Sequence, residues 1–255
     1  LPEVKNIIAI ASGKGGVETA SIMDDYLKFL RENVKIKPGI RVAIDCGNAM
    51  TGIVAPGILK EFGCEVTEFY VTPDGRFPNH HPDPIVEENL KDIINAVQKE
   101  KLDLGIGFDG DGDRLGVVDE NGNIIWGDML LTIFARDVLK HIPGAKIIGE
   151  VKCSTRLFKD IERHGGKPIM WKAGHSLIKH KMKVDGAVLG GEMSGHMFFD
   201  DKFFGYDDEV YAALRLLEII SNTGKRVSEL LDGIPPALTT PEIRVDCPDE
   251  IKFQF

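Results

Sequence analysis

With 255 residues, 43% of them hydrophobic and 28% charged, the chain has an ordinary globular composition and length enough for one large or two medium cores. A net charge of -9 argues against general nucleic-acid binding, because no basic stripe is available to neutralise phosphates. No apolar run approaches the roughly 18 residues of a membrane span, no secretory signal is expected at the start, and the four cysteines (Cys46, Cys64, Cys153, Cys247) form no CxxC pair, so reduced thiols in a cytoplasmic protein are expected.

In chain order, residues 1–23 are atypical. Asn6 to Ala11 reads as a strand, and Ser12-Gly13-Lys14-Gly15-Gly16-Val17 as a glycine turn. Residues 1–17 resemble the opening of the deviant Walker-A ATPases, whose loop continues Gly-Lys-Ser/Thr. Here Glu18-Thr19-Ala20 follows, which removes the phosphate-gripping lysine and puts a carboxylate where an anion should sit. A strand and turn leading into a helix is favoured, and an ATPase-like switch is the weaker alternative.

From Ile22, apolar residues at helical spacing (Ile22, Tyr26, Leu27, Leu30) lead to a Pro38-Gly39 turn. Ile40–Cys46 reads as a strand, Thr51 as the cap of a helix running to Phe62, and Glu65–Tyr70 as the next strand. Strand, helix and strand in series imply a parallel sheet covered by helices. The long loop from Thr72 to Pro84 ends in Asn79-His80-His81-Pro82-Asp83-Pro84, and a loop of this length is expected to be functional or mobile. Adjacent histidines rarely ligate one ion and no third soft ligand lies near, so His80 and His81 are assigned to loop structure or substrate-side hydrogen bonding. A helix over 86–100 follows.

The stretch of greatest chemical content is Phe108-Asp109-Gly110-Asp111-Gly112-Asp113-Arg114, set between the apolar runs 102–107 and Leu115–Val118. Glycine between successive aspartates lets a tight loop bring three carboxylates to one point. A divalent cation relieves their repulsion, and all-oxygen ligation suits magnesium, manganese or calcium better than zinc. Arg114 adds a fork of donors suited to phosphate. A calcium EF-hand is disfavoured, because Arg114 occupies the position where that loop needs glycine and the flanks read as strands.

A second α/β unit is expected after the turn at Glu120–Asn123. A helix over about 128–141 precedes the strand Ala145–Ile148, and Ser154 caps a helix that ends at Gly165-Gly166. The strand Pro168–Trp171 enters Lys172-Ala173-Gly174-His175-Ser176 and a helix to Lys183. A buried strand, Ala187–Gly190, delivers Gly191-Glu192-Met193-Ser194-Gly195-His196, at the strand end where open α/β sheets bind ligands. A helix over 208–221 comes next.

Three strings in this order (NHHPDP, FDGDGDR and GGEMSGH) resemble the phosphomannomutase/phosphoglucomutases of the α-D-phosphohexomutase superfamily, from about Tyr26 onward. The resemblance implies two consecutive Rossmann-like three-layer α/β/α domains with mixed, mostly parallel sheets. The second domain of the family would occupy 24–122 with the metal loop, the third 123–238 with a sugar-recognition loop, and 239–255 would begin a fourth. It implies phosphoryl transfer between O1 and O6 of glucose or mannose phosphates, with magnesium (manganese as an alternative) held by Asp109, Asp111 and Asp113. Arg114 and His196 take the catalytic places, while Lys172, His175, Glu192, Ser194 and His196 take the substrate-binding ones. The partners implied are a hexose 1- or 6-phosphate and the remaining mutase domains, with no nucleic acid and no membrane. The family's Ser-His-Asn-Pro phosphoserine setting and its phosphate-clamp loop have no counterpart in the sequence. An isolated chain is therefore expected to be inactive; a non-catalytic metal and sugar-phosphate binding fragment, or an engineered chimera, is the alternative.

Overall fold

Alternation along the strands builds the layers. In β1 (Arg41–Asp45), Val42 and Ile44 enter one core and Ala43 another. In β6 (Lys146–Glu150), Ile147 and Ile148 divide in the same way. Both are strands buried on two faces, so period two sorts apolar residues to opposite sides rather than to core and solvent. A computed structural model describes residues 19–236 of the chain. The glycine turn of residues 1–17 and the segment 239–255 lie outside the described residues.

Helix α1 (Thr19–Asn33) precedes β1, and a 3-10 turn (Met50–Ile53) and α2 (Ala55–Glu61) lead to β2 (Glu65–Phe69). A second 3-10 turn (Glu87–Leu90) and α3 (Lys91–Glu100) lead to β3 (Leu104–Phe108), β4 (Leu115–Val118) and β5 (Ile124–Ile125). The strand order is β2-β1-β3-β4-β5, parallel through β3 and antiparallel beyond. After α4 (Gly127–His141) come β6, α5 (Thr155–Arg163), β7 (Lys167–Trp171), α6 (His175–Asp185), β8 (Leu189–Gly191), β9 (Met197–Phe199) and α7 (Glu209–Thr223). The second sheet runs β7-β6-β8-β9, with only β9 antiparallel. Helix α3 covers one face of the first sheet and α6 one face of the second. The opposite faces share a single continuous core with α1, α2, α4, α5 and α7.

The expected α/β architecture of two mixed sheets between helices is present, with some local differences. Thr51 does not cap a helix: its hydroxyl is buried without a partner, and α2 starts at Ala55 with Pro56 in its first turn. The expected helix over 86–100 is split, since its first turn is the 3-10 segment. Two-residue β5 and three-residue β9 were not anticipated; both are antiparallel edge strands too short for a periodic signal. Ser154 does cap α5, accepting from Arg156 N at 3.2 Å.

Helix α1 crosses from the first unit to the second. The Phe29 ring lies 5.0 Å from that of Phe204 and 5.6 Å from that of Phe203. The buried Tyr26 hydroxyl donates to Asp208 Oδ1 at 2.8 Å, the same oxygen that caps α7 by accepting from Tyr211 N. Burial pushes the Asp208 carboxyl up to about 6 despite these two donors. Tyr26→Phe removes one of them from a buried acceptor, and a loss of about 1–3 kcal/mol is expected in urea unfolding. A loss under about 0.5 kcal/mol would mean that water takes the place of the hydroxyl.

Candidate functional site

The aspartate loop turns the chain from β3 into antiparallel β4. Gly112, at φ +81°, makes the reversal, and a side chain there would also strike the Thr51 methyl. Asp109 organises the loop from inside. Its Oδ1 accepts from the backbone N–H of Gly112, Asp113 and Arg114 at 2.9, 2.9 and 3.1 Å, and its Oδ2 accepts from Arg114 Nε at 2.8 Å. The second arm of Arg114, Nη1, donates to Asp83 Oδ1 at 3.1 Å. Asp83 comes from the histidine-containing loop, which Nε2 of His80 ties to Asp45 at 3.0 Å and Asn79 ties to Asn48 at 2.7 Å. The expected structural role of His80 thus has a concrete form: it anchors the loop that aims Arg114.

Ligand atoms of Asp109, Asp111 and Asp113 lie within 4.8 Å of one another. Burial, with the charge of Asp109 next, pushes the Asp113 carboxyl up to about 7, and the same causes move Asp111 upward. An all-carboxylate set whose members resist ionising together fits a hard divalent cation, which would stabilise all three charges at once.

The GEMSGH loop arrives from the other unit. It joins β8 to β9 and touches the strand at the exit of the aspartate loop, Leu115 N donating to Gly195 O at 3.1 Å. Gly195 sits at φ +95°, and a Cβ there would lie 2.6 Å from Leu115 O, so this approach needs glycine. Glu209 N, at the start of α7, donates to Gly112 O at 3.1 Å, and Glu209 Oε1 accepts from Met197 N at 2.9 Å, a second tie between the two loops.

These contacts bring His196 Nδ1 to 3.8 Å from Asp113 Oδ2 and 3.1 Å from Asp207 Oδ2. Burial opposes the charged imidazolium, but the Asp207 hydrogen bond and the Asp113 charge outweigh it and raise the His196 pKa. Burial also opposes the Asp207 carboxylate, yet its bonds to His196 and Lys179 hold it down to about 2. His175, the first residue of α6, stacks on His196 with ring centroids 5.8 Å apart. Glu192 is buried and its Oε1 accepts from Gly174 N at 2.6 Å, which pins the α6 entry loop to the GEMSGH loop. Ser194 is half-buried in the same loop. Lys172 is exposed and hydrogen-bonds to none of the other candidates among the described residues.

Asp207, Lys179 and Asp83 carry contacts in this site and were not singled out in the sequence. The run Asp207-Asp208-Glu209 before a helix signals a cap, and Asp208 is that cap. Nothing in the spacing shows that its neighbour meets a histidine eleven residues upstream.

Comparison with known proteins bears on the family and the fold. The profile of "Phosphoglucomutase/phosphomannomutase, alpha/beta/alpha domain II" matches residues 24–122, and that of domain III matches residues 126–238. The chain is 49% identical over 244 residues to a phosphomannomutase/phosphoglucomutase of Pseudomonas aeruginosa, covering 96% of this chain and 53% of that one. It is 46% identical over 245 residues to a phosphoglucomutase of Neisseria gonorrhoeae, with the same coverage. A crystal structure of a phosphoglucomutase/phosphomannomutase family protein from Burkholderia thailandensis superposes with a TM-score of 0.82 at 45% identity, over 86% of this chain and 47% of that one. The chain spans about half the length of the curated relatives it matches.

Proposed function

The chain belongs to the phosphoglucomutase/phosphomannomutase family, and from that premise we propose that it supplies the metal-holding and sugar-recognising parts of a hexose-phosphate mutase, which moves a phosphoryl group between O1 and O6 of glucose or mannose phosphate. One observation carries the reading: the GEMSGH loop hydrogen-bonds to Leu115 where the aspartate loop enters β4, from a separate sheet, and His196 stands beside Asp113. Residues 24–122 are the metal half and 123–238 the sugar half.

Asp109, Asp111 and Asp113 would hold a magnesium ion, with manganese as an alternative, and when bound it neutralises charge on the phosphoryl group in transit. Arg114, fixed in direction by Asp109 and Asp83, faces the same charge with a rigid fork. Glu192 has its second carboxylate oxygen, and Ser194 its hydroxyl, to grip sugar hydroxyls. Such a buried acceptor rejects an analogue lacking the hydroxyl, because the protein group is then left unpaired. His196 carries the proton of the reacting hydroxyl, with His175 stacked behind it, and Lys172, exposed three residues before His175, is a further substrate contact. No helix among the described residues is long and apolar enough to cross a membrane. The buried free thiols of Cys46, Cys64 and Cys153 support a cytoplasmic setting.

Metal-dependent stabilisation tests the reading. Binding to the folded chain alone raises stability by mass action, about 2.7 kcal/mol at a magnesium concentration a hundred times Kd. The Tm of the chain should therefore climb with magnesium. Asp111→Asn should weaken the response by removing one ligand charge, and Asn at all three positions should abolish it. A triple variant that responds as the parent does would reduce the loop to a solvated turn.

A further inference from the structure

We propose that Asp207 is a positioning residue for His196, fixing the imidazole with its proton on Nδ1 and leaving Nε2 bare for the reacting hydroxyl. The proposal rests on the reading of His196 as the proton carrier and adds the group that sets which ring nitrogen does the carrying.

Three contacts hold Asp207 in place. Its Oδ1 accepts from Lys179 Nζ at 2.8 Å, a donor on α6 that packs against the same face of the second sheet. Its backbone pairs with Phe198 in an isolated antiparallel bridge, so the residue extends the edge of β9. It immediately precedes Asp208, whose side chain caps α7. The carboxylate is almost wholly buried, with its side chain 9% exposed. Its orientation is therefore settled before any substrate arrives.

The remaining oxygen, Oδ2, lies 3.1 Å from His196 Nδ1. An ionised carboxylate only accepts, so a neutral imidazole beside it must donate through Nδ1–H. A neutral imidazole has one N–H, and Nε2 is then the basic nitrogen. Among the described residues, Nε2 of His196 has no hydrogen-bond partner, whereas Nδ1 has one. The ring planes of His175 and Phe198 lie 14° and 5° from that of His196, so stacking on both neighbours limits tilt while Asp207 sets rotation about the ring axis.

Asp113 is the competing acceptor, and two observations rank it second. It is farther from Nδ1, at 3.8 Å against 3.1 Å. It also belongs to the all-carboxylate triad proposed for magnesium, which Asp207 does not, although Asp207 lies close enough to Asp113 and His196 for those three to form a second group able to hold a cation. A histidine whose second nitrogen is held by a carboxylate is a recurrent way of presenting a proton acceptor in one tautomer. Here the carboxylate comes from the loop after β9 and the histidine from the loop before it.

The tautomer can be read without turnover. Two-bond nitrogen–proton correlation spectra of the histidine-labelled chain, in magnesium chloride and at a pH where the ring is neutral, distinguish Nδ1–H from Nε2–H. His196→Gln assigns its signal among the seven histidines. The expected parent spectrum is Nδ1–H. Asp207→Asn, whose amide oxygen still accepts, should retain it, and Asp207→Ala should lose it to a mixture of tautomers. A parent ring protonated at Nε2 overturns the proposal whether or not any variant folds, as does a folded Asp207→Ala whose tautomer is unchanged. Because these spectra need no catalysis, failure here counts against Asp207 alone. A complete mutase that keeps its turnover with His196→Gln would instead count against the proton-carrier role.

Discussion

Given magnesium and glucose 1-phosphate or mannose 1-phosphate, the 255-residue polypeptide should show no sustained mutase turnover. The transfer moves a phosphoryl group from one end of a sugar to the other, and the Ser194 hydroxyl of the described site is read as gripping the sugar, not as holding the phosphoryl group in between. Resemblance to the family implies a phosphoserine for that purpose, and no serine in the sequence stands in a Ser-His-Asn-Pro setting. Covalent relay divides one difficult transfer into two feasible ones, so without it the barrier for the whole exchange remains. Metal, Arg114 and His196 would stabilise charge and move a proton, but they cannot substitute for the carrier. A coupled assay that detects glucose 6-phosphate decides the matter. A rate within tenfold of an intact mutase, about 1.4 kcal/mol in barrier, would show that a group in this chain takes the carrier's place. Magnesium-dependent stabilisation with no turnover would mark the chain as binding-competent and catalytically incomplete. Loss of both would remove the functional reading altogether.

Arg215→Met should destabilise the fold by about 3–5 kcal/mol, the usual cost of leaving a buried ion without its partner. The guanidinium is 1% exposed. Nη1 and Nη2 donate to the two oxygens of Asp201 at 3.0 and 2.9 Å, and Nη1 also reaches the Tyr211 hydroxyl at 2.8 Å. Asp137 and Glu218 each lie 3.6 Å away, and the Phe199 ring is stacked 4.9 Å from the guanidinium carbon. Methionine fills similar volume but strands the Asp201 carboxylate among these groups. Arg215→Lys should recover little, since a single ammonium cannot reproduce the planar fork. Arg215→Met with Asp201→Asn should recover part of the loss by removing the stranded charge. Urea unfolding measures all three, and a loss under about 1 kcal/mol for Arg215→Met would show that water reaches the site. The pair also ties α7 to the turn after β9, the segment that ends at Asp207 beside His196. A destabilised Arg215 variant should accordingly loosen the site as well as the core.

The features legible without the structure are those governed by short-range chemistry. Aspartates alternating with glycine permit only a tight, carboxylate-lined turn, and Asp109, Asp111 and Asp113 converge as that pattern requires. Ser154 ahead of a periodic run caps a helix because its hydroxyl satisfies a nearby N–H, whatever the rest of the chain does. Thr51 shows the limit of the same reasoning: a residue suited to capping was drawn into the core against the aspartate loop, and packing outweighed its local preference. Strands β5 and β9 were invisible because two or three residues hold no period, and they exist only through the partners they pair with. The meeting of His196 with Asp113 and Asp207 was equally beyond local pattern. It depends on Gly195 approaching Leu115, on Glu209 bridging to Gly112, and on Lys179 holding Asp207 from a different helix. Sequence alone determined which side chains could do this chemistry, because turn geometry and side-chain functionality are set within a few bonds. Only the tertiary structure decided which of them meet, because burial of one core shared between two sheets sets the distances between loops far apart in the chain.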